Sequence, residues 1–240
     1  MSTSATAEQA LVAESLLAGL PDESLAAVSR HLEPVALGHQ QTLYEIGDRV
    51  AYAYFPAGGC VLTSVAIMSD GATVETAMVG REAAAGLVAL LAGRPTRYWT
   101  RALLPGEALR LRAEALQELF ERDEAARRLL LGCYRGLLYQ ATRRAVCNAR
   151  HHLFERLSTW LLMLRERAGG DDLPLTQEAV SRQLGVRRAG VNEAVGRLER
   201  AGAVEHSRGR LHVEDVGLLE VAACRCHRSL RAGARGPGVG

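Results

Sequence analysis

Residues 175–199 read LTQEAVSRQLGVRRAGVNEAVGRLE, and this pattern predicts two short helices joined by a tight turn. Thr176 favours the start of the first helix, because its hydroxyl oxygen can accept a hydrogen bond from a free backbone N–H. Val180 and Leu184 lie four residues apart and therefore share one face of that helix. Gly185 follows directly, where a sharp turn requires a positive φ that glycine adopts without strain.

The second helix is predicted to begin near Arg187, and its inward face is formed by three apolar residues at helical spacing: Val191, Val195 and Leu198. The small side chain of Ser181 allows the first helix to approach the second closely. Two short helices that cross at a glycine turn are typical of a helix-turn-helix motif.

A β-hairpin is predicted immediately after the second helix. Its strands, Ala203–His206 and Arg210–Val213, flank the turn Ser207-Arg208-Gly209, and glycine is favoured in such turns. A hairpin in this position is called a wing. Residues from about Leu173 to Val213 are therefore predicted to form a winged helix-turn-helix.

Polar residues of this module suit contacts with double-stranded DNA. In a helix-turn-helix protein, the N-terminal end of the second helix faces the base edges in the major groove. Arg187 and Arg188 lie at that end, where an arginine can donate two parallel hydrogen bonds to guanine. Asn192, one turn further on, can bind adenine. Four residues suit phosphates, which position a protein without specifying the base sequence: Thr176, Arg197, Arg208 and Arg210.

The composition indicates a folded protein with a basic C-terminal half. The chain has 240 residues, of which 48% are hydrophobic and 23% charged, and this excludes global disorder. Residues 1–112 carry 8 Arg against 11 acidic residues, whereas residues 113–240 carry 21 Arg against 16. The positive excess therefore lies in the half where a nucleic-acid surface is expected.

The sequence predicts a cytoplasmic protein with reduced thiols and no membrane partner. No apolar run reaches the roughly 20 residues needed to cross a bilayer, and the N-terminus lacks the pattern of a secretory signal. The five cysteines are an odd, scattered set, which argues against a disulfide framework.

Between residues 35 and 112 the pattern changes to short β-rich runs separated by Gly, Pro and Asp. The clearest hairpin surrounds Asp70-Gly71, a dipeptide that tolerates the positive φ of a tight turn. The spacing predicts an antiparallel β-sandwich or jelly roll. The predicted strands are Gln41–Glu45, Ala51–Phe55, Cys60–Met68, Thr73–Val79, Tyr98–Leu103 and Gly106–Leu111. Helices are predicted at Glu8–Leu17, Asp22–His31 and Ala83–Leu91.

A long helix is predicted over Asp123–Cys147, with a break near Asn148–Ala149 and shorter helices on either side, at Ala113–Phe120 and His151–Arg167. A small domain cannot bury the whole apolar seam of such a helix, so a second copy of the chain is expected to cover it. Packing within the same chain is the alternative. The predicted dimer residues are Leu130, Tyr134, Leu137, Leu138 and Ala141.

The order of a β-sandwich, a long helix and a winged helix resembles the Crp–Fnr superfamily of bacterial transcription regulators. The strongest stretches are residues 176–178, 184–191 and 196–199. The resemblance implies an α+β fold with three domains: a cyclic-nucleotide-binding-like sensor domain over residues 1–112, a dimerisation helix over 113–148 and a DNA-binding domain over 149–240. It also implies a homodimer that reads a palindromic operator, with RNA polymerase as a further partner.

The resemblance extends to the residues that read bases. Family members carry a base-reading arginine at the position of Arg188. At two other reading positions the cyclic-AMP-responsive members have Glu and Arg, whereas this chain has Ala189 and Glu193. The resemblance therefore implies DNA binding with a different target sequence.

The effector site departs further from the family. Its cyclic-nucleotide-binding members use a Gly-Glu-Leu-Gly-like turn and then Arg-Ser/Thr-Ala, and the nearest matches here are Gly80-Arg81-Glu82 and Arg97-Tyr98-Trp99. Glu82 and Arg97 are therefore the candidate effector residues. A phosphate needs close approach of the backbone, which the two bulky aromatic residues hinder. A cyclic nucleotide is not favoured, and no cofactor is expected.

Two alternatives are open: a ligand-sensing module that acts only through protein contacts, and a redox- or metal-responsive variant of the regulator. The second rests on Cys224-Arg225-Cys226-His227, which holds three soft ligands in four residues. Because neighbouring positions of a helix point in different directions, ordinary thiols are favoured and no metal site is predicted. An enzyme is not expected, since residues 41–111 contain no histidine for a metal-binding jelly roll.

Overall fold

The computed structural model describes residues 2–234, which group into two compact units. The N-terminal unit comprises the chain up to Ser64 together with Met78–Leu138, and the C-terminal unit comprises Val65–Ala77 together with the chain from Tyr139 onward. Within residues 2–234, no helix combines the length and the hydropathy needed to cross a membrane.

Between residues 32 and 112, seven strands form two sheets. The strands are β1 Leu32–Leu37, β2 Thr42–Tyr44, β3 Tyr52–Pro56, β4 Val61–Ile67, β5 Thr73–Val79, β6 Trp99–Leu104 and β7 Gly106–Arg112. The strand orders are β1-β7-β3 and β2-β6-β4-β5. Strand β7 pairs antiparallel with both β1 and β3, and β2 pairs antiparallel with β6. The predicted antiparallel architecture is therefore confirmed.

The core of the N-terminal unit draws on both sheets. Phe55 of β3, Leu62 of β4 and Leu109 of β7 are fully buried in one apolar cluster. The helices that flank the sheets contribute further buried residues, Leu17 and Leu116 among them. These helices are α1 Ser2–Ala13, a 3₁₀ turn at Leu16–Gly19, α2 Asp22–Ser29, α3 Leu87–Ala92 and α4 Ala113–Arg122.

Strand β1 was not predicted, and the helix predicted before it ends two residues early, at Ser29. Pro34 lies within this strand. Proline has no N–H to donate to a sheet, so its presence argues against predicting a strand for this segment. The proline is tolerated because, among the strands of residues 2–234, β1 is the edge strand of its sheet and pairs with β7 alone.

Two other helices differ from their predicted bounds. Helix α1 begins earlier than predicted and stops at Ala13, because Ser15 caps a separate 3₁₀ turn by accepting a bond from the Leu17 N–H. In the predicted helix Ala83–Leu91, only the part from Leu87 is helical. Ala85 instead exchanges backbone hydrogen bonds with Tyr54, which holds that segment extended.

The long helix is α5, Glu124–Arg150, and it continues through the break predicted at Asn148–Ala149. His151 still donates its N–H to the carbonyl of Cys147, at 3.0 Å. The chain turns only at His152, where Glu155 accepts the backbone N–H and completes a capping box for the next helix.

The two faces of α5 lie in different surroundings. Leu130 is 2% exposed within the core of the N-terminal unit, and Leu137 packs against that same core. The prediction of Leu130 as a dimer residue is therefore wrong, because an intrachain core already covers it. Leu137 is half-buried, and its role in a dimer stays a prediction. Tyr134 and Leu138 remain 41% and 52% exposed.

Helix α6, Leu153–Ala168, lies at the centre of the C-terminal unit. The elements that follow it are β8 Asp172–Leu173, α7 Gln177–Leu184, α8 Arg188–Arg200, β9 Val204–Ser207, β10 Arg210–Val213, α9 Val216–Ala222 and α10 Cys226–Ala234. Leu157, Trp160 and Leu161 are buried on α6, and three helices pack against it: α8, α9 and α10.

A buried ion pair fixes residues 65–77 within the C-terminal unit. The carboxylate of Glu75 pairs with the guanidinium of Arg144 on α5 and accepts a hydrogen bond from the Trp160 indole at 3.1 Å. The Glu75 side chain is 0% exposed and that of Arg144 12%. Burial lowers the pKa of Arg144 to about 10, which illustrates the cost of removing this cation from water.

Candidate nucleic-acid interface

The predicted helix-turn-helix is present with its expected capping residues. Thr176 accepts a hydrogen bond from the Ala179 N–H at 3.0 Å and so caps α7. Gly185 ends that helix at a φ of +65°, as the turn requires. A side chain at this position would also clash, because an added Cβ would lie 2.6 Å from the Val74 side chain.

Helix α8 begins at Arg188, with Arg187 as its N-cap residue, close to the predicted start. Its inward face is formed by the buried residues Val191, Ala194, Val195 and Leu198. The opposite face is exposed and includes Arg187, Arg188, Ala189, Asn192 and Glu193. The structure therefore brings the predicted base-reading residues together at the N-terminal end of one exposed helix face.

Gln177 also reaches this face, although the sequence reasoning did not include it. Its side-chain amide donates a hydrogen bond to the Asn192 side-chain oxygen at 3.1 Å. The bond joins the first turn of α7 to α8 and restrains the orientation of Asn192. Gln177 directly follows the helix cap Thr176, where a side chain can reach the next helix. This position was the feature of the sequence that could have indicated its role.

The wing contains a strand that was predicted as loop. Strand β10 pairs antiparallel with β9, as predicted, and also with β8, so that the sheet order is β8-β10-β9. Gly209 adopts a φ of +78° in the turn between β9 and β10. Strand β8 has two residues, which are too few to show the alternation of apolar and polar residues that predicts a strand.

Arg210 is held by an ion pair at the start of β10, next to the turn of the wing. Its guanidinium donates two hydrogen bonds to one oxygen of Asp172, and His212 Nδ1 lies 2.6 Å from the same oxygen. These bonds lower the pKa of Asp172, with Arg210 the larger cause, and the Asp172 bond raises the pKa of His212. A phosphate contact by Arg210 must therefore compete with an existing partner.

The other predicted phosphate-binding residues differ in how they are held. Arg197 lies over the ring of Phe154, with its guanidinium carbon 4.0 Å from the ring centroid. Arg208 is exposed at the tip of the wing, in the turn that precedes β10. Thr176 uses its hydroxyl oxygen as an acceptor for the cap, which leaves its hydroxyl hydrogen able to point outward.

Arg156, on helix α6, restrains the helix-turn-helix motif. It was not among the residues predicted from the sequence. Its guanidinium, on α6, donates a hydrogen bond to the carbonyl of Leu184 at 3.0 Å. This carbonyl belongs to the last turn of α7, where helices leave acceptors unsatisfied. The bond therefore couples the central helix of the unit to the turn of the motif.

The candidate effector residues lie in the N-terminal unit. Glu82 is half-buried. Arg97 is exposed and lies in the segment that leads to β6. Tyr98 is 42% exposed. The Trp99 indole donates to the Thr42 hydroxyl at 3.1 Å, and its ring lies 4.8 Å from the guanidinium carbon of Arg101. The two aromatic residues are thus present at the surface beside Arg97.

Comparison with known proteins identifies two domain families in the chain. The cyclic nucleotide-binding domain family matches residues 34–123, and the Crp-like helix-turn-helix domain family matches residues 155–222. No curated protein is significantly similar to the chain.

Several solved structures share the fold. A Crp/Fnr-family regulator from Eubacterium rectale superposes with a TM-score of 0.66 and 15% identity, covering 89% of this chain and 97% of that one. FixK2 from Bradyrhizobium japonicum gives 0.68 and 18%, over 80% and 98%. A CRP/FNR-family regulator from Thermus thermophilus gives 0.65 and 22%, over 80% and 98%.

A winged helix-turn-helix with an arginine-bearing exposed end, joined to a cyclic nucleotide-binding domain, defines a DNA-binding transcription regulator. The chain combines a cyclic nucleotide-binding domain with a Crp-like helix-turn-helix domain and shares the fold of regulators of the Crp–Fnr superfamily, which confirms the resemblance seen in its sequence. This is a family of transcription regulators and not of enzymes.

Proposed function

We propose that the protein is a homodimer that reads a palindromic operator with the N-terminal end of α8 in the major groove. The observation that carries this proposal is the exposed cluster of Arg187, Arg188 and Asn192 above a fully buried inner face. Arginine and asparagine side chains of this kind bind guanine and adenine edges. Thr176, Arg197, Arg208 and Arg210 are proposed to contact phosphates.

Helix α5 supports the proposed dimer. Leu131, Tyr134 and Leu138 follow the three-and-four spacing of a coiled-coil seam, and each is at least 41% exposed. Ala141 and Ala145 continue this spacing and are also exposed. We call these five residues the α5 stripe. An apolar stripe of this length favours burial against the same stripe of a second copy, which gives an isologous interface.

The effector is proposed not to be a cyclic nucleotide, despite the domain family. The bulky Tyr98 and Trp99 stand where the small residues that admit a phosphate are expected, beside the exposed Arg97. Calorimetric titration with cyclic AMP and cyclic GMP tests this proposal about the effector, and a heat of binding that Arg97→Ala abolishes would overturn it.

RNA polymerase is the proposed protein partner and the cytoplasm the proposed location, since bacterial promoters and polymerase are found there.

Selection of random duplex DNA by the full-length protein tests the proposed function. We would select at about 150 mM salt, where non-specific phosphate binding is weak. The expected result is an enriched palindrome whose half-sites lie about 10 base pairs apart, as two-fold protein symmetry requires.

The matched control is the double variant Arg187→Ala/Arg188→Ala, beside Arg200→Ala at the far end of the same helix. We expect the double variant to lose the enriched sequence and Arg200→Ala to keep it. If the wild-type protein enriches no sequence, or if the double variant recovers the same palindrome, the proposed mode of DNA reading is wrong.

A further inference from the structure

Three cysteine thiols meet in the interior of the C-terminal unit. Cys147 lies near the end of α5, Cys224 between α9 and α10, and Cys226 at the start of α10. Their sulfur atoms all lie within 4.8 Å of one another, and Cys147 and Cys224 are 3.5 Å apart. Each residue is at most 6% exposed, and all three are free thiols.

The backbone explains how Cys224 and Cys226 can face the same point. Cys224 precedes α10 and is not on the helix, so the divergence expected for neighbouring helical positions does not apply. Thr159 on α6 holds it there, because its hydroxyl oxygen accepts the Cys224 N–H at 3.2 Å and lies 3.1 Å from the Cys224 sulfur.

Further contacts fix α10, and with it Cys226. Arg143 on α5 donates to the Ser229 hydroxyl at 2.6 Å. Arg231 pairs with Glu166 on α6 at 3.1 Å, and His227 Nε2 lies 3.6 Å from the same carboxylate oxygen. The position of the three thiols is therefore set by bonds on both sides of the cluster, and His227 points to Glu166.

The separation of the sulfur atoms suits a metal centre. A tetrahedral zinc–thiolate site has Zn–S bonds of about 2.3 Å, which places its sulfur atoms about 3.8 Å apart. Sulfur atoms within 4.8 Å of one another can reach this arrangement through side-chain rotation. An all-sulfur donor set selects soft ions, such as zinc or monovalent copper, over magnesium or calcium.

A small cavity adjoins the Cys147 side of the cluster and supplies room for a further ligand. It has a volume of about 20 Å³ and is lined by Cys147, Thr159 and Met163, among others. A cavity of at least roughly 10–15 Å³ can hold a water molecule, and the Met163 thioether is itself a soft donor. Arg156 lines the same cavity, and its positive charge would offset part of the negative charge of a metal with three thiolates.

We propose that Cys147, Cys224 and Cys226 form a binding site for one soft, thiophilic metal ion per chain. Each thiol releases its proton to solvent as its sulfur ligates the ion, and no oxidation or reduction is involved. The bound ion ties the end of α5 to the start of α10 within the unit that carries the helix-turn-helix. The site is independent of the proposed mode of DNA reading.

Titration of the reduced full-length protein with Cd²⁺ tests the proposal. Cadmium thiolates absorb in the ultraviolet through charge transfer, so the band reports ligation directly. We expect a band that saturates at one Cd²⁺ per chain and is removed by an excess of a strong chelator. Cys147→Ser, Cys224→Ser and Cys226→Ser should each weaken Cd²⁺ binding by at least about 100-fold, more than the loss of an outer-shell partner.

The chain offers matched controls in Cys60→Ser and Cys133→Ser, which change equally buried cysteines of the N-terminal unit. Both should bind Cd²⁺ as the wild-type protein does. Native mass spectrometry of the wild-type protein needs no variant, and should show one retained metal with loss of the matching protons. A wild-type protein that binds no Cd²⁺ when reduced, or an equal loss in Cys133→Ser, would overturn the site, as would a Cys147–Cys224 disulfide that reductant does not open.

Discussion

Two carboxylate–guanidinium pairs in the C-terminal unit share their chemistry and differ in their surroundings. Glu75 and Arg144 are 0% and 12% exposed, whereas Asp172 and Arg210 are both 56% exposed. Water and salt screen the exposed pair. The buried pair has lost its hydration, so each charge depends on the other. We therefore expect the burial of a charged residue, and not the number of its bonds, to decide how much the fold depends on it.

The largest effect is expected at the buried pair. Glu75→Gln leaves the cation of Arg144 buried without its counter-ion, and breaking such a pair costs about 3–5 kcal/mol. Urea unfolding of the purified variant, followed by tryptophan fluorescence, measures the loss, because Trp160 is 2% exposed in the folded chain and meets water on unfolding.

The double variant Glu75→Gln/Arg144→Gln sharpens the comparison. It removes both charges together, so it should recover part of the stability that Glu75→Gln loses. If the double variant is less stable than Glu75→Gln by the full effect of Arg144→Gln alone, the two charges do not interact and the buried pair contributes nothing specific.

The next largest effect is expected on the α5 stripe. Its apolar residues are exposed in the single chain and would be buried only in the proposed dimer, whereas Glu75 is already buried within the chain. Leu138→Asp would place an unpaired charge in the proposed dimer interface, and should raise the dimer dissociation constant by at least about 100-fold, or roughly 2.7 kcal/mol. Analytical ultracentrifugation over a range of concentrations measures this change.

Val221→Asp provides the control for this substitution. Val221 is 86% exposed on α9, so an aspartate there adds the same charge away from the stripe and should leave the assembly unchanged. Leu138→Asp that sediments as the wild-type dimer would show that another surface forms the interface.

A smaller effect is expected at Arg188, which is exposed until DNA covers it. Arg188→Ala should weaken binding to the selected operator by about 1–3 kcal/mol, because a bidentate contact with guanine is lost. Fluorescence anisotropy with the operator and with a scrambled duplex separates specific from non-specific binding. Arg200→Ala should change affinity for both duplexes little, and an equal loss of operator affinity in the two variants would contradict a reading role for Arg188.

Local patterns were sufficient to predict the winged helix-turn-helix. The positions of Thr176, Gly185 and Gly209 follow from capping and turn chemistry, which act within a few residues of sequence. The inward face of α8 follows from helical periodicity alone. For the same reason, the approximate strands of the N-terminal unit could be predicted, with the exception of the proline-containing β1.

Contacts between residues distant in sequence could not be predicted in this way. Cys147 and Cys224 are 77 residues apart, and Glu75 and Arg144 are 69 apart. No periodicity links such pairs, because tertiary packing alone brings them together. The apolar seam of α5 had the same difficulty: the sequence predicts which residues are apolar, but Leu130 and Leu138 face different surroundings that only the packed core distinguishes.

The smallest effect is expected at the exposed pair, where the pKa of His212 is the sensitive readout. The Asp172 hydrogen bond raises the pKa of His212 in the folded state. This contribution to stability is therefore fully present below the ordinary histidine pKa of about 6.5, and is lost as the pH rises through the higher folded value. For Asp172 the sign is opposite: its lowered pKa contributes above the ordinary aspartate value of about 3.9 and is lost in more acidic solution.

Asp172→Asn should therefore lower the pKa of His212 toward about 6.5, as measured by proton NMR of the imidazole ring over a pH series, with little change in the unfolding midpoint. Glu178→Gln is the matched control, because it removes an exposed carboxylate that pairs with Arg182 elsewhere in the unit. A His212 pKa that does not move in Asp172→Asn would mean that the bond is absent in solution. A large fall in the unfolding midpoint would contradict the expectation that burial decides how much the fold depends on a charged pair. The exposed pair of Asp172 and Arg210 would then contribute strongly to stability despite its exposure.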